Sequence, residues 1–411
     1  MQMKNNFYYT NLRWLVITTL LYFGSSFGQT FFIAIFAGYI RYDFDVSHTT
    51  WGSIYALGTC LSAALMFKLG GITEKFKSVN LSIVVIISLA FFCFLMIFAE
   101  DIVLLIFIIF GLRFFGQGFA SHLSMVLCGK WFSKNRGKTV AFTSLGFTFG
   151  EALLPIIFVT LIGVFGWRPS WGLACLILVL ISIIIKILLT HDRTPSNVDN
   201  TSLIKKEVGI YNKYWTKYDV LNSWVAWPMI FAIVVHSMFL TIFFFQQVTL
   251  GIENNWSASQ FAILIPFYTF TSIISTFLTG YIIDKFGVRT VLPYYQIPGI
   301  LGFLSMIFLK DPIFFVIPFS LLGIMQGISN SLSGTFWPEY FGTKYLGDVR
   351  AIATSFMVIA SALGPFISGL MLDNQINLNT QFIMMFFIMS LSVIGLIYLS
   401  INTKEILNAN L

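Results

Sequence analysis

The chain has 411 residues, of which 57% are hydrophobic and only 10% charged, and its mean hydropathy is +0.85. A soluble chain carries about 25% charged residues, so this composition excludes a soluble enzyme, a nucleic-acid-binding protein and a disordered chain. The 46 Phe and 31 Gly fit a bundle of membrane helices, where aromatics face lipid and small residues let helices approach closely.

Crossing a bilayer takes about 20 apolar residues. Runs of that kind fall at 14–40, 50–69, 79–99, 102–128, 139–165, 170–190, 224–249, 258–282, 291–309, 312–336, 350–372 and 379–401. They lack the sustained two-residue alternation of membrane strands. The predicted fold is therefore all-α: twelve transmembrane helices in two six-helix halves, 1–190 and 223–411, joined by a polar central loop at 191–222. The first run, Trp14–Ile40, is too long for a cleavable signal peptide and ends without a small-residue cleavage site. Cys60, Cys93, Cys128 and Cys175 lie in or at the ends of apolar runs without a C-x-x-C pair. They read as small core residues, with no disulfide framework and no metal site.

Basic residues set the orientation. With the N-terminus inside, all 24 Lys and Arg fall in inside segments except Arg41, Arg168 and Lys310 outside and Arg113 within a span. Both termini and the central loop are predicted cytoplasmic. The net charge of +7 is then a topology signal, with no nucleic-acid partner. Richness in Ile, Phe, Asn and Lys points to an AT-rich genome and so to a bacterial inner membrane, where the sequon Asn255-Trp-Ser257 carries no meaning.

Charges inside spans are costly and need a reason. Only Arg113 in span 4 and Glu151 in span 5 lie deep in a run. Arg113 heads a stripe with Gln117, Ser121 and Ser124 at helical spacing. A planar guanidinium suits a carboxylate or phosphate, so Arg113 is a candidate anion site; the competing reading is a structural pair with Glu151. Glu151 is a candidate proton carrier, since an intramembrane carboxyl can load and release a proton as its hydration alternates. It could equally be an interface residue. Span 1 offers Tyr22, Ser25, Ser26 and Gln29; span 7 offers His236, Ser237 and Thr241; span 8 offers Tyr268, Thr271 and Ser275; span 10 offers Gln326, Ser329, Asn330 and Ser333. His122 and His236 are packing residues before they are proton relays. No P-loop, G-x-S-x-G, H-E-x-x-H or C-x-x-C pattern occurs. No enzyme and no cofactor is expected.

The halves repeat at an offset near 210. Gly70-Gly-Ile-Thr-Glu74-Lys75-Phe76-Lys77 follows span 2, and Gly280-Tyr-Ile-Ile-Asp284-Lys285-Phe286-Gly287-Val-Arg289 follows span 8; Gln117-Gly118 matches Gln326-Gly327. The G-x-x-x-D-K-x-G-x-R run, complete in the second copy, resembles the major facilitator superfamily. So does Arg113-Phe-Phe-Gly116-Gln117-Gly118, and Gly146-x-x-x-Gly150-Glu151-x-x-x-Pro155 stands where that family often has G-x-x-x-G-P. In overall character the chain is similar to monocarboxylate and oxalate/formate-type carriers. Those place an ionisable residue in span 1, 8 or 11, and none lies deeper than a span end in those runs here.

The resemblance implies two halves rocking around a midplane site lined by spans 1, 4, 7 and 10. The expected function is secondary active transport of a small organic solute, an anion such as a carboxylate, by a proton-coupled monomer in the lipid bilayer. Arg113, Gln117, Gln29, Gln326, Asn330, His236 and Tyr268 would bind the solute and Glu151 would carry the proton. Asp284, Lys285, Arg289 and Glu74 would gate by tying cytoplasmic helix ends. Trp337-Pro-Glu339-Tyr-Phe-Gly342 with Gly347-Asp-Val-Arg350 is placed as a second latch by position. An exporter of hydrophobic or cationic compounds and a non-transporting nutrient sensor stay open as alternatives.

Overall fold

The computed structural model describes residues 7–133, 135–190, 193, 208–256 and 264–405. Most of the central loop, Lys134 and Ser257 of the sequon lie outside the described residues. The described residues are nearly all helical, with only the isolated bridges Val208–Gly342 and Gly209–Lys213. Twelve long helices follow one another among them. Spans 1 to 6 are Phe7–Ala34, His48–Leu69, Ser78–Leu95, Ile102–Trp131, Arg136–Phe165 and Trp167–Leu188. Spans 7 to 12 are Ala226–Phe245, Ile265–Phe286, Val288–Phe308, Val316–Phe341, Leu346–Asp373 and Leu378–Asn402. Ten are long and apolar enough to cross a membrane; spans 8 and 10 match them in length but carry more hydroxyl and amide side chains.

The helix starts follow ordinary capping chemistry. Ser47, Asp101 and Asn377 accept the backbone N–H groups of Thr50, Leu104 and Thr380. Span 8 stops at Gly287, whose φ of +79° is a left-handed turn that only glycine adopts without strain. In the first copy of the motif the chain turns at Lys77 with φ −63° and ψ 136°, an extended geometry open to any residue. That is why the degenerate copy needs no second glycine.

Two spans are not regular α-helices. The run read as one continuous first span breaks after Ser25. A tight turn, Ser26–Gly28, leads to extended Gln29 before helix resumes at Thr30–Ala34, and another segment, Ala37–Asp43, follows. Span 4 is wound as a π-helix from Arg113 to Ala120, a distortion that recurs at functional sites. The two irregular stretches touch. A Cβ on Gly28 would sit 2.1 Å from the Leu112 carbonyl oxygen and 2.7 Å from Gly116 Cα, and one on Gly116 would sit 2.6 Å from Gly28 Cα. Irregular backbone at membrane depth is tolerated where protein buries it, and Ser26, Phe27, Gly28 and Arg113 are buried.

The chain divides into two compact units, Met1–Lys206 with Tyr345–Ser355, and Glu207–Lys344 with Phe356–Leu411. In the first, span 5 lies directly on span 1. Cβ atoms on Gly146 and Gly150 would fall 2.1 Å from the Thr19 carbonyl oxygen and from Ser26 Oγ. An aromatic cluster of Phe27, Phe32, Phe36, Phe158 and Trp171 packs beside them. In the second, spans 8 and 10 run parallel, stapled by hydroxyls on backbone carbonyls: Thr271 to Ser320 at 3.0 Å, Ser275 to Ile324 at 2.9 Å and Ser331 to Thr276 at 2.8 Å. Small and hydroxyl residues at such contacts supply the close approach that lipid cannot drive by itself.

Gly28→Ala is expected to force the break of span 1 off span 4. Overpacking of this kind costs about 1–3 kcal/mol, so the apparent melting temperature of purified protein falls. Gly163→Ala, where nothing lies within 4 Å of the added Cβ, leaves it unchanged. Equal behaviour of the two variants would contradict the contact.

Candidate functional site

Arg113 is fully buried and enters the break of span 1. Its Nη1 donates to the Gly28 carbonyl at 3.2 Å and to Thr30 Oγ1 at 3.2 Å, and its guanidinium carbon lies 5.1 Å from the centroid of the Tyr55 ring. The Tyr55 hydroxyl donates to Thr30 Oγ1 at 2.8 Å. The guanidinium thus takes over a carbonyl released where the helix unwinds, and the tyrosine adds a cation–π face and ties span 2 to the same hydroxyl. Gln117 is buried one turn on, and Gln29 is buried at the break itself. The lower part of the predicted stripe serves packing: Ser124 Oγ donates to the Thr18 carbonyl at 2.8 Å and Ser121 Oγ to the Gln117 carbonyl.

Glu151 is the sixteenth residue of the 30-residue span 5. Gly28, Thr30 and Tyr55, rather than Glu151, are the partners Arg113 holds, so the structure does not join the two charges into a pair.

Arg350 was expected at the edge of span 11. The helix begins at Leu346, before the apolar run, and Arg350 is a buried residue of its second turn at 7% exposure. Its Nη1 donates to the His122 carbonyl at 3.2 Å. The absence of an ionisable group from span 11 is therefore corrected: an apolar-run reading stops where Gly347, Asp348 and Arg350 begin, although the backbone continues helically through them. The position of Arg350 in the repeat, opposite Arg136-Gly-Lys138 at the head of span 5, is the signal that could have found it. His122 is occupied in packing, with Nε2 donating to the Gly70 carbonyl at 3.3 Å and Nδ1 3.5 Å from Thr354 Oγ1.

In the second unit three predicted residues form one chain. His236 Nε2 lies 2.9 Å from Gln326 Oε1, and Gln326 Nε2 donates to Asn330 Oδ1 at 2.9 Å. His236 is the eleventh of 20 residues in span 7 and Gln326 the eleventh of 26 in span 10, so the chain sits at mid-span. Span 9 frames it. The Tyr295 ring is 5.6 Å from the imidazole, its hydroxyl is 2.9 Å from Ser329 Oγ, and Gln296 Nε2 donates to the Ala232 carbonyl at 2.7 Å. Tyr295 and Gln296 went unnoticed in the sequence because they lie at the polar head of an apolar run. Tyr268 is buried elsewhere, against Phe244 at 5.2 Å. Phe244 is eight residues past His236, about 12 Å along the helix.

The loop motif is used unevenly. The Glu74 carboxylate takes Lys130 Nζ at 2.7 Å and the backbone N–H of Gly347 at 2.9 Å. It therefore caps the first turn of span 11, where the helix dipole favours an anion. Neighbouring contacts are tight, since a Cβ on Gly70 would fall 2.0 Å from Ala351 Cβ. In the second copy Arg289 Nη1 donates to the Ser400 carbonyl at 3.4 Å, and Lys285 lies over the Tyr281 and Phe286 rings. The carboxylate that holds the turn is Glu339, accepting the Val288 N–H at 3.1 Å, a residue of the stretch read as a second latch. Asp284 is the one acidic residue of span 8, third from its end.

The model of the Major Facilitator Superfamily matches residues 18–253 and 229–410. The chain belongs to this superfamily. Membership makes it a multi-pass membrane transporter rather than an enzyme, working by alternating access. Among solved structures it resembles the human organic anion transporter MFSD10 (TM-score 0.72, 12% identity, 94% of this chain and 99% of that one). It also resembles the proton:xylose symporter XylE bound to 6-bromo-6-deoxy-D-glucose (0.70, 13%, 93% and 94%) and FucP in its outward conformation (0.69, 13%, 94% and 98%). At such identities the likeness is one of fold. A curated relative, the Protein TsgA homolog of Buchnera aphidicola subsp. Schizaphis graminum, is 29% identical over 124 residues, 30% of this chain and 32% of the relative's length.

Glu74→Ala removes both the cap of span 11 and the partner of Lys130. Stability is expected to fall by about 1–2 kcal/mol, a few degrees in melting temperature. Glu74→Gln keeps an acceptor for Gly347 and loses less than half as much, because the partly exposed ion pair contributes little. Parent-like melting of both variants would remove the cap from the account.

Proposed function

We propose that this transporter moves a small organic anion, a carboxylate in the first instance, and that Arg113 is its counter-charge. The observation that carries the reading is a fully buried arginine at mid-span, placed on a broken helix and a π-wound one. Its partners include a carbonyl and a hydroxyl. A carboxylate offers the same fork two charge-assisted bonds, each roughly twice as strong as a neutral one. An incoming anion would therefore displace Gly28 and Thr30 and free the break of span 1. Discontinuous helices at ligand sites are a recurrent transporter device. The description of MFSD10 as an organic anion transporter supports the same substrate class. Gln117 and Gln29, on the same two spans, would orient the anion.

Coupling to protons through Glu151 completes the reading. Glu151 lies at mid-span with no ion pair to a basic side chain among the described residues, and a carboxyl there alternates between neutral and charged forms as water reaches it. Glu74, Asp284, Lys285 and Arg289 would hold the cytoplasmic helix ends, with both termini cytoplasmic in a bacterial inner membrane and the monomer as the working unit.

A thermal-shift screen of the purified protein against small carboxylates tests the substrate class, because binding to the folded state raises the apparent melting temperature by mass action. Stabilisation by a carboxylate is expected to disappear in Arg113→Gln while the variant stays folded. Stabilisation by neutral or cationic compounds alone, or an unchanged response of the variant, would make Arg113 a structural plug of span 1.

Glu151→Gln separates coupling from binding. In proteoliposomes, uptake driven by a pH gradient is expected to fall at least tenfold while exchange of labelled for unlabelled solute stays within about twofold. Gradient-driven uptake at the parent rate would remove Glu151 from the coupling.

A further inference from the structure

We infer that the His236–Gln326–Asn330 chain is a preformed site for an uncharged group that both donates and accepts a hydrogen bond, in practice a hydroxyl of the solute. The inference rests on the chain being a solute carrier but not on the solute being an anion. Gln326 Nε2 donates to Asn330 Oδ1, so Gln326 Oε1 is left to accept, and His236 Nε2 must be the donor to it. His236 Nδ1 is then a lone pair. Asn330 Nδ2 carries two protons at the other end. Neither Nδ1 nor Nδ2 has a hydrogen-bond partner among the described residues, although His236 is 7% and Asn330 3% exposed. Buried polar groups are nearly always satisfied, and an exception calls for an explanation such as a ligand or a water.

The polarity of the chain sets the chemistry of its occupant. One end accepts and the other donates. Reversing both amides reverses both ends and again leaves one donor and one acceptor. A carboxylate accepts only and leaves His236 Nδ1 unmet. An ammonium donates only and leaves Asn330 Nδ2 unmet. A hydroxyl satisfies either end, and two neighbouring hydroxyls satisfy both. The site is also held in place: Tyr295 lies along the imidazole with its own hydroxyl at Ser329, and Gln296 clamps the Ala232 carbonyl one turn before His236. A preorganised site that leaves buried groups unmet discriminates strongly against a ligand lacking the matching group.

The test uses the purified full-length protein at pH 7 and compounds matched in carbon number: propionate, lactate and glycerate, with 1-propanol and glycerol as the neutral pair. Affinities are read by calorimetry and thermal shift in the parent, in His236→Phe, in Asn330→Asp and in Arg113→Gln. Asn330→Asp keeps the volume and the acceptor for Gln326 but replaces the donor amide with an ionisable carboxyl group, so its ranking is read on the neutral pair. Each added hydroxyl is expected to tighten binding to the parent by about tenfold, and the ranking to collapse to within about threefold in His236→Phe and in Asn330→Asp. Equal binding of matched compounds, a ranking that survives both substitutions, or no binding by any compound overturns the inference. A hydroxyl ranking with carboxylate binding that ignores Arg113→Gln upholds it and removes the anion reading. Arg113-dependent binding of all three carboxylates without a ranking does the reverse.

Discussion

The hydrocarbon of a bilayer offers no hydrogen bonds, so each broken helix and each buried charge must be answered from within the protein. The meeting of spans 1 and 4 is where this constraint is most severe. Span 1 unwinds between Ser26 and Gln29, and span 4 is π-wound from Arg113 to Ala120. Two glycines let the irregular backbones touch, and one guanidinium answers the released carbonyl. The charge and the break each remove the cost of the other. An arginine there would be unfavourable against a regular helix, and the break would be unfavourable without a donor.

The same economy of polar groups organises the rest of the molecule, with different chemistry in each unit. In the first, Arg113, Glu151 and Arg350 place charge among aromatic rings and hydroxyls. In the second, the buried polar groups at mid-span are neutral: an imidazole, two amides, a phenol and the hydroxyls that staple spans 8 and 10.

The loop motif shows how a repeat diverges under backbone constraint. The second copy keeps its glycine because the turn at Gly287 has positive φ, while the first copy turns through an extended Lys77. Glu74 is the acid of the degenerate copy, yet it caps span 11. In the complete copy the turn is held by Glu339 from another span. The stretch around Glu339 was picked out from its position, but its contact was not visible there.

Hydropathy and charge placement by themselves determined the membrane class, the twelve spans and the pairing of the motif copies, because each is a property of a single run of residues. They also singled out Arg113, Glu151, His236, Gln326 and Asn330, since a polar group in an apolar run stands out without coordinates. Only the tertiary structure decided what each one meets. It seated Arg113 in span 1 rather than on Glu151, gathered His236, Gln326 and Asn330 into one directed chain, and placed Tyr268 apart from it. It also made Arg350 a buried residue of span 11. These are outcomes of helix rotation, of a break and of a π-turn, which shift side-chain facing without altering the apolar pattern that marks a span.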